Sequence, residues 1–100
     1  YFSFVEKARA MGITIPIIPG IKPFTKLSQI TQVPKTFHCD MPQELAQEAV
    51  RCKTDEEAAA LGAEWTINQC LELYKAGVSD IHFYTISSFG TMAQILKKIL

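Results

Sequence analysis

Hydrophobic residues recur at two different periods along the chain, and the change of period separates helices from strands. Residues 1–11 place their apolar side chains on neighbouring helical turns, and Gly12 follows as a C-terminal stop. Residues 13–18 form a short, β-branched and almost continuously apolar run, which is typical of a strand covered on both faces. Because Pro16 lacks a ladder donor, we expect a local irregularity within this strand.

The middle of the chain is predicted to return to helix after an irregular stretch. A Pro-Gly pair at 19–20 breaks the strand, residues 24–30 fit one or two helical turns, and residues 31–39 look irregular. A pattern resembling a capping box, with Asp40 three residues before Gln43, then predicts another helix.

A longer helix follows. It begins at Thr54, which is followed by three acidic residues, and it ends before Gly77. Its apolar stripe consists of Ala63, Ile67, Cys70, Leu71 and Tyr74. Residues 81–86, rich in β-branched and aromatic side chains, predict the second strand, and Ser88 is a suitable cap for a last helix. The apolar positions of that helix are Met92, Ile95, Leu96 and Ile99.

The predicted order is helix, strand, helices, strand, helix, so the strands and their crossover form one right-handed βαβ unit of an α/β fold. Two parallel strands cannot cover both faces and satisfy both edges alone. Because the chain also opens at Tyr1 inside a helical pattern, we interpret residues 1–100 as a single partial domain whose partners lie upstream or in another chain. An open doubly wound sheet and a (β/α)₈ barrel both contain such a unit, and the pattern does not choose between them.

Composition narrows the classes of partner. Lys plus Arg and Asp plus Glu number 10 each, so the chain has no basic field for a nucleic acid or an anionic membrane. No run approaches the roughly 18 apolar residues that span a bilayer. Three cysteines without a C-x-x-C pattern are typical of free thiols in a reducing, cytoplasmic setting.

The second strand carries the main candidate for chemistry. His82, Tyr84 and Ile86 alternate onto one face, and Phe83 and Thr85 onto the other. Tyr84 near the carboxyl end would face the site of a barrel enzyme, or it packs inside the barrel with its hydroxyl satisfied by backbone. For His82, which lies deeper, we expect a hydrogen-bonded core histidine.

Other candidates are weaker. Consecutive ligands at 38–40 (His-Cys-Asp) point in different directions, so we expect no metal site. Cys70 lies in the apolar stripe and is expected to be an inert core thiol. Lys22 could meet an anion, but the expectation is an exposed lysine, and its loop lacks the spaced glycines that cradle phosphate. Trp65 is expected in the core.

Two motifs resemble the last two strands of methylenetetrahydrofolate reductases: Ile-Ile-Pro-Gly-Ile-x-Pro at 17–23 and His-Phe-Tyr-Thr at 82–85. Between them Gly-x-Glu at 62–64, Cys-x-Glu-Leu at 70–73 and Gly77 also resemble that family's pattern at matching spacing. The resemblance implies that the chain is the C-terminal part of a (β/α)₈ TIM barrel. It would supply the end of helix six, strand seven, an elaborated helix seven, strand eight and helix eight.

The same resemblance implies an enzyme that reduces 5,10-methylenetetrahydrofolate to 5-methyltetrahydrofolate. In this family NADH or NADPH reduces a bound FAD, leaves, and is replaced by the folate substrate. The flavin contacts and the acidic residues that assist folate activation lie upstream of Tyr1 in the family. The resemblance therefore implies no catalytic residue in this chain, and the 100 residues alone are expected to be inactive. Whether the parent protein is a homo-oligomer stays open.

Residue by residue, Tyr84 and Ile86 resemble strand-eight positions that line the substrate side in this family. Leu27 falls where the family often has an aromatic ring that stacks on nicotinamide or folate, and Phe24 is a substitute for that ring. Ser88 stands where better-known members have an arginine suited to a folate or nucleotide anion. Two other interpretations remain: a non-catalytic α/β module that completes its sheet by self-association, and a different barrel enzyme sharing only the strand ends.

Overall fold

The chain is mostly helical and contains one small parallel sheet. A computed structural model describes residues 1–86 and 89–100. The elements in chain order are α1 (Phe2–Ala10), β1 (Gly20–Ile21), α2 (Leu27–Phe37), α3 (Gln43–Ala49), α4 (Asp55–Lys75), β2 (His82–Phe83) and α5 (Phe89–Ile99). The cap predicted at Ser88 lies outside the described residues. None of the helices described is both long and apolar enough to cross a membrane.

The two strands pair in parallel, as the sequence predicts. Gly20 lies opposite His82 and Ile21 opposite Phe83. The His82 amide donates to the Pro19 carbonyl at 2.9 Å, and the amide of Tyr84, the residue after β2, donates to the Ile21 carbonyl at 2.9 Å. Parallel strands need a long crossover, and here that crossover consists of α2, α3 and α4.

The first strand was predicted in the wrong place, because residues 13–18 pair with no strand in the described part of the chain. Side chains bind three of the carbonyls that a ladder would use. The Arg9 guanidinium donates to the carbonyls of Ile13 and Ile15 at 2.8 and 2.9 Å, and the Tyr1 hydroxyl donates to that of Ile17 at 2.7 Å. Strand pairing starts only at Gly20, after both Pro16 and Pro19. The second strand is likewise shorter than predicted.

Both predicted glycine stops are confirmed. Gly12 and Gly77 have left-handed backbones, with φ of 86° and 87°. After α1 the Gly12 amide donates to the Arg9 carbonyl and the Ile13 amide to the Ala8 carbonyl, and the same pair of bonds follows α4 at Gly77. This is the Schellman arrangement, in which a residue free of Cβ strain ends the helix.

The core is formed by α4, which packs against a different neighbour on each side. One cluster centres on Phe24, Leu45 and Ala58. The other joins Ala63 to Met92 and Ile95 of α5, with Phe83 of β2 packed against it. The stripe predicted for α4 is wrong at its end, because Tyr74 and Leu71 are exposed while Leu73 is buried. The buried side of the helix includes the polar Thr66, which a purely apolar pattern omits.

Two predictions about helix starts and ends also need correction. Residues 31–37, predicted to be irregular, are helical despite Pro34, and the helix ends at His38 with a left-handed φ of 55°. The Asp40–Gln43 cap is wrong, since Pro42 is the N-cap of α3 and no side chain caps it. The start of α4 is confirmed, because the Thr54 hydroxyl accepts from the Glu57 amide at 3.1 Å.

Candidate functional site

A cavity of about 380 Å³ opens at the carboxyl ends of the two strands. Its walls are the loop after β1, helix α2, the connection from α2 to α3, one face of α4 and the residue that follows β2. Apolar lining comes from Phe24, Val33, Phe37, Met41, Leu45 and Trp65. Polar lining comes from Lys22, Gln29, Asp40, Thr66, Gln69 and Tyr84. This volume and mixture are typical of a site for a small, largely apolar ligand with a few polar groups.

Tyr84 lies across the first strand. A Cβ placed at Gly20 would be 2.8 Å from Tyr84 Cε2 and 3.0 Å from its hydroxyl oxygen, so the ring occupies space that a side chain at this position would need. The absence of a side chain at Gly20 therefore determines where the Tyr84 ring lies. The ring is 49% exposed and so remains accessible to a ligand.

His82 does not belong to a core. Its ring packs edge-on against Tyr84, with the ring centroids 4.7 Å apart, and the residue is exposed. The predicted alternation is confirmed for His82, Phe83 and Tyr84, because Phe83 packs on the second core cluster while the other two rings contact each other. The expectation of a core histidine was wrong because the described residues do not cover the His82 side of the strand.

The bottom of the cavity depends on a close approach between α4 and the loop after β1. A Cβ on Gly62 would overlap the Phe24 carbonyl oxygen and lie 3.1 Å from Phe24 Cδ2. Only a glycine in this turn of α4 lets the loop backbone come so near. Gly62 therefore sets the position of Phe24, which is buried and lines the cavity.

Helix α2 forms the outer wall and is fastened at its N-terminus. The Asp55 carboxylate, in the first turn of α4, accepts from the Leu27 amide at 2.9 Å. Gln29 accepts from the Thr25 amide at 2.7 Å through its side-chain oxygen. Helix α2 has no fully buried residue and packs on the first core cluster through the half-buried Leu27 and Ile30, so these hydrogen bonds add to what fixes this wall.

The structure brings only some of the predicted site residues together. Tyr84 lines the cavity, as does Phe24, the proposed substitute for an aromatic ring at Leu27. Leu27 lies outside the lining and packs on the first core cluster, and Ile86 also lies outside it with 83% of its surface exposed. Lys22 is half-buried at the rim rather than fully exposed.

Sequence reasoning missed one face of α4. The neighbours Trp65 and Thr66, and Gln69 about one turn later, all line the cavity. Trp65 was predicted as a core residue, and it does pack partly against the first cluster. The available signal was Thr66, a polar residue at a helical position that the apolar pattern required to be buried.

The thiols and metal-binding side chains add no second centre. Cys70 is buried, as predicted, and desolvation raises the pKa of its thiol. Cys39 is exposed and lines the cavity at the connection from α2 to α3. Within residues 1–86 and 89–100, no group of three or more His, Cys, Asp or Glu side chains is arranged to hold a metal ion.

The chain resembles curated reductases from several kingdoms. It is 35% identical over 98 residues to a probable methylenetetrahydrofolate reductase (NADPH) of Caenorhabditis elegans, covering 96% of this chain and 15% of the relative. Methylenetetrahydrofolate reductase 1 of Schizosaccharomyces pombe is 30% identical over 100 residues, covering 99% and 17%. The 5,10-methylenetetrahydrofolate reductase of Escherichia coli is 31% identical over 88 residues, covering 87% and 30%.

These relatives are much longer than the region that matches. The chain spans less than a third of the length of each of the three. The family model for methylenetetrahydrofolate reductase, in contrast, matches residues 1–100, the whole of the chain. With its parallel strand pair and its cavity at the strand ends, the chain belongs to the methylenetetrahydrofolate reductase family.

Proposed function

We propose that this chain is the C-terminal part of the catalytic barrel of a cytoplasmic methylenetetrahydrofolate reductase. The whole protein would reduce 5,10-methylenetetrahydrofolate to 5-methyltetrahydrofolate with NADH or NADPH through FAD. The cavity at the carboxyl ends of β1 and β2 carries the proposal, because barrel enzymes build their sites at that end of the strands. The names of the relatives support the reaction, and the three free cysteines are compatible with a reducing compartment.

In this proposal the cavity supplies one wall of a flat slot for a ring. The Tyr84 ring and the buried Phe24 offer aromatic surface, and Tyr84 adds a hydroxyl that can fix a polar edge. Ile86, two residues after Tyr84 and beyond the end of β2, is 83% exposed, and in this proposal it would extend this surface toward the substrate. Leu27 would contribute indirectly, through the core cluster that it shares with Phe24.

The described residues do not fit a whole FAD. Among the cavity residues Lys22 is the one cation, and the lining includes no glycine-rich phosphate loop. FAD, when bound in the parent protein, supplies the transfer of hydride between nicotinamide and folate. We assign its contacts to the rest of the barrel, and this chain's residues to holding and orienting the substrate ring.

The proposal is tested on the full-length protein and on the 100-residue chain. We expect the full-length protein to purify yellow and to oxidise NADH or NADPH when methylenetetrahydrofolate is present, and the chain alone to be colourless and inactive. Both coenzymes need testing, since the C. elegans relative is named for NADPH and a rice relative for NADH. A full-length protein that takes up no flavin would contradict the proposal.

Tyr84 provides a residue-level test in the full-length protein. Tyr84→Ala should raise the KM for the folate substrate by about tenfold, the scale of one lost aromatic contact and hydrogen bond. Tyr84→Phe should show a smaller rise, because the ring remains. Tyr74→Ala is the matched control, since Tyr74 is 77% exposed on α4 and lies outside the cavity lining. Equal effects at both tyrosines would remove Tyr84 from the site.

A second candidate function comes from the apolar side chains around the unpaired run before β1. Ile13, Ile15 and Ile18 are exposed, as is Phe4 of α1. In the barrel proposal the remaining strands and helices cover them, whereas in a self-associating module a second copy does so. Gel filtration of the 100-residue chain distinguishes these two functions. A defined dimer with its own melting transition favours the self-associating module, whereas aggregation or poor folding favours a fragment of a barrel.

A further inference from the structure

Thr66 stands out among the polar residues of the described chain. It is 2% exposed, and it is the one buried polar or charged residue among those described. It lies in the middle of α4 and lines the cavity, about one turn from Gly62 on one side and Gln69 on the other. A buried hydroxyl in a cavity wall either binds another group of the protein or is positioned to bind a ligand.

The hydroxyl of Thr66 has no hydrogen-bond partner within the described residues. A helical threonine commonly binds a carbonyl three or four residues earlier, as Thr31 does with the Ser28 carbonyl at 3.2 Å. Thr66 does not make that bond. Burying a hydroxyl without a partner costs free energy, whereas valine would fill the same space without that cost.

The surroundings of Thr66 indicate what kind of group would complete the bond. Trp65 and Phe24 give the cavity apolar, aromatic surface, which suits a planar ring. Gln69, one turn further along α4, adds an amide with no hydrogen bond among the described residues, so α4 presents a hydroxyl and an amide side by side. A hydroxyl beside an amide matches an edge that carries both a C=O and an N–H group.

We propose that Thr66 is a substrate-binding residue whose hydroxyl bonds the amide-type edge of a planar ring held in this cavity. This rests on the proposed reductase function, in which two such edges occur: the lactam of the pterin ring and the carboxamide of nicotinamide. Thr66 orients the ring from the α4 side, and Tyr84 contacts it from the strand side. Because this hydrogen bond contributes to binding, its loss should change KM rather than the rate of hydride transfer.

The test uses the full-length reductase with two substitutions that separate the hydroxyl from the shape of the side chain. Thr66→Val removes the hydroxyl at constant volume and should raise the KM for one or both substrates by about 3- to 10-fold with kcat retained, the scale of one hydrogen bond. Thr66→Ser keeps the hydroxyl and should stay close to the wild-type KM. Thr91→Val is the matched control, a half-buried threonine of α5 outside the cavity lining.

The two substrates distinguish the source of the ring edge. A rise in the KM for methylenetetrahydrofolate alone assigns the pterin, and a rise in the KM for the nicotinamide coenzyme alone assigns the carboxamide. A rise in both supports one edge-binding site used by the two rings in turn. If Thr66→Val leaves both KM values within about twofold of wild type, the proposal is overturned.

Melting temperature separates binding from a structural role. Because no described residue is a partner for the hydroxyl, Thr66→Val should melt at or above the wild-type temperature in the absence of substrate. A variant that melts lower or fails to fold would show that the hydroxyl has a structural partner, which overturns the proposal. A wild-type protein without methylenetetrahydrofolate-dependent activity defeats the proposed function itself, whereas normal wild-type activity with unchanged variants defeats only the role of Thr66.

Discussion

Gly62→Ala is the substitution for which the structure makes its sharpest prediction. The new Cβ would overlap the Phe24 carbonyl oxygen and also approach the Phe24 carbonyl carbon at 3.2 Å. Because the contact is with backbone, no side-chain rotation relieves it. Either the loop after β1 moves away from α4, or the helix bends.

Two opposing terms set the size of the effect. In a helix interior, alanine is more favourable than glycine by about 1 kcal/mol. Overpacking a close contact typically costs about 1–3 kcal/mol, and a rigid backbone partner places this case at the upper end. The net prediction is a destabilisation of about 1–2 kcal/mol, together with a displaced Phe24 and a raised folate KM.

Urea unfolding of the full-length protein measures this directly. With a slope of about 2 kcal/mol/M, the midpoint should fall by roughly 0.5–1 M. Gly90→Ala is the matched control, because a Cβ on Gly90 of α5 meets nothing within 4 Å, and this substitution should be neutral or slightly stabilising. If Gly62→Ala were as stable as Gly90→Ala, the close approach would not constrain the loop, and the account of the cavity floor would be wrong.

Two further predictions concern α4. Asp55→Ala removes the cap on the Leu27 amide and should lower the free energy of unfolding by about 0.5–2 kcal/mol. The control Glu56→Ala, at the neighbouring position, should lower it by at most about 1 kcal/mol. Urea midpoints measure both losses, and equal losses would show that the cap contributes nothing. Burial raises the pKa of the Cys70 thiol above the ordinary value of 9.0, so its contribution to stability is complete below that pH and is lost as pH rises through the folded-state pKa. Stability measured against pH should therefore fall more steeply above 9.0 in wild type than in Cys70→Ala, and parallel curves would contradict the assignment.

The sequence predicted helix starts and stops correctly where the groups that form them are close together in the chain. The stops at Gly12 and Gly77 and the cap at Thr54 each depend on groups within a few residues, and all three are present. For α2 the prediction was right for the first turn, which lies within residues 24–30, and wrong for residues 31–37, which are helical despite Pro34. The cap on its first amide comes from Asp55, which lies 28 residues away. A cap supplied from another helix leaves no local pattern in the sequence.

The candidate site was predicted only in part for the same reason. Tyr84 was found because strand alternation and the family resemblance both select it. Thr66 and Gln69 were missed, since a polar residue on the buried side of a helix looks like an interruption until a cavity is seen beside it. The 82–85 motif identifies the family, but it does not say which helix face completes the pocket.

The sequence by itself determined the stops of α1 and α4, the start of α4, the two-sided pattern of the second strand and the family, because each depends on neighbouring residues or on a motif. Tertiary structure alone decided that pairing begins at Gly20, that the Tyr84 ring lies across it, and that Gly62 admits the Phe24 backbone. The physical reason is distance along the chain. These contacts join segments that are about 40 to 60 residues apart, and only the folded packing of α4 against both its neighbours determines whether such segments meet.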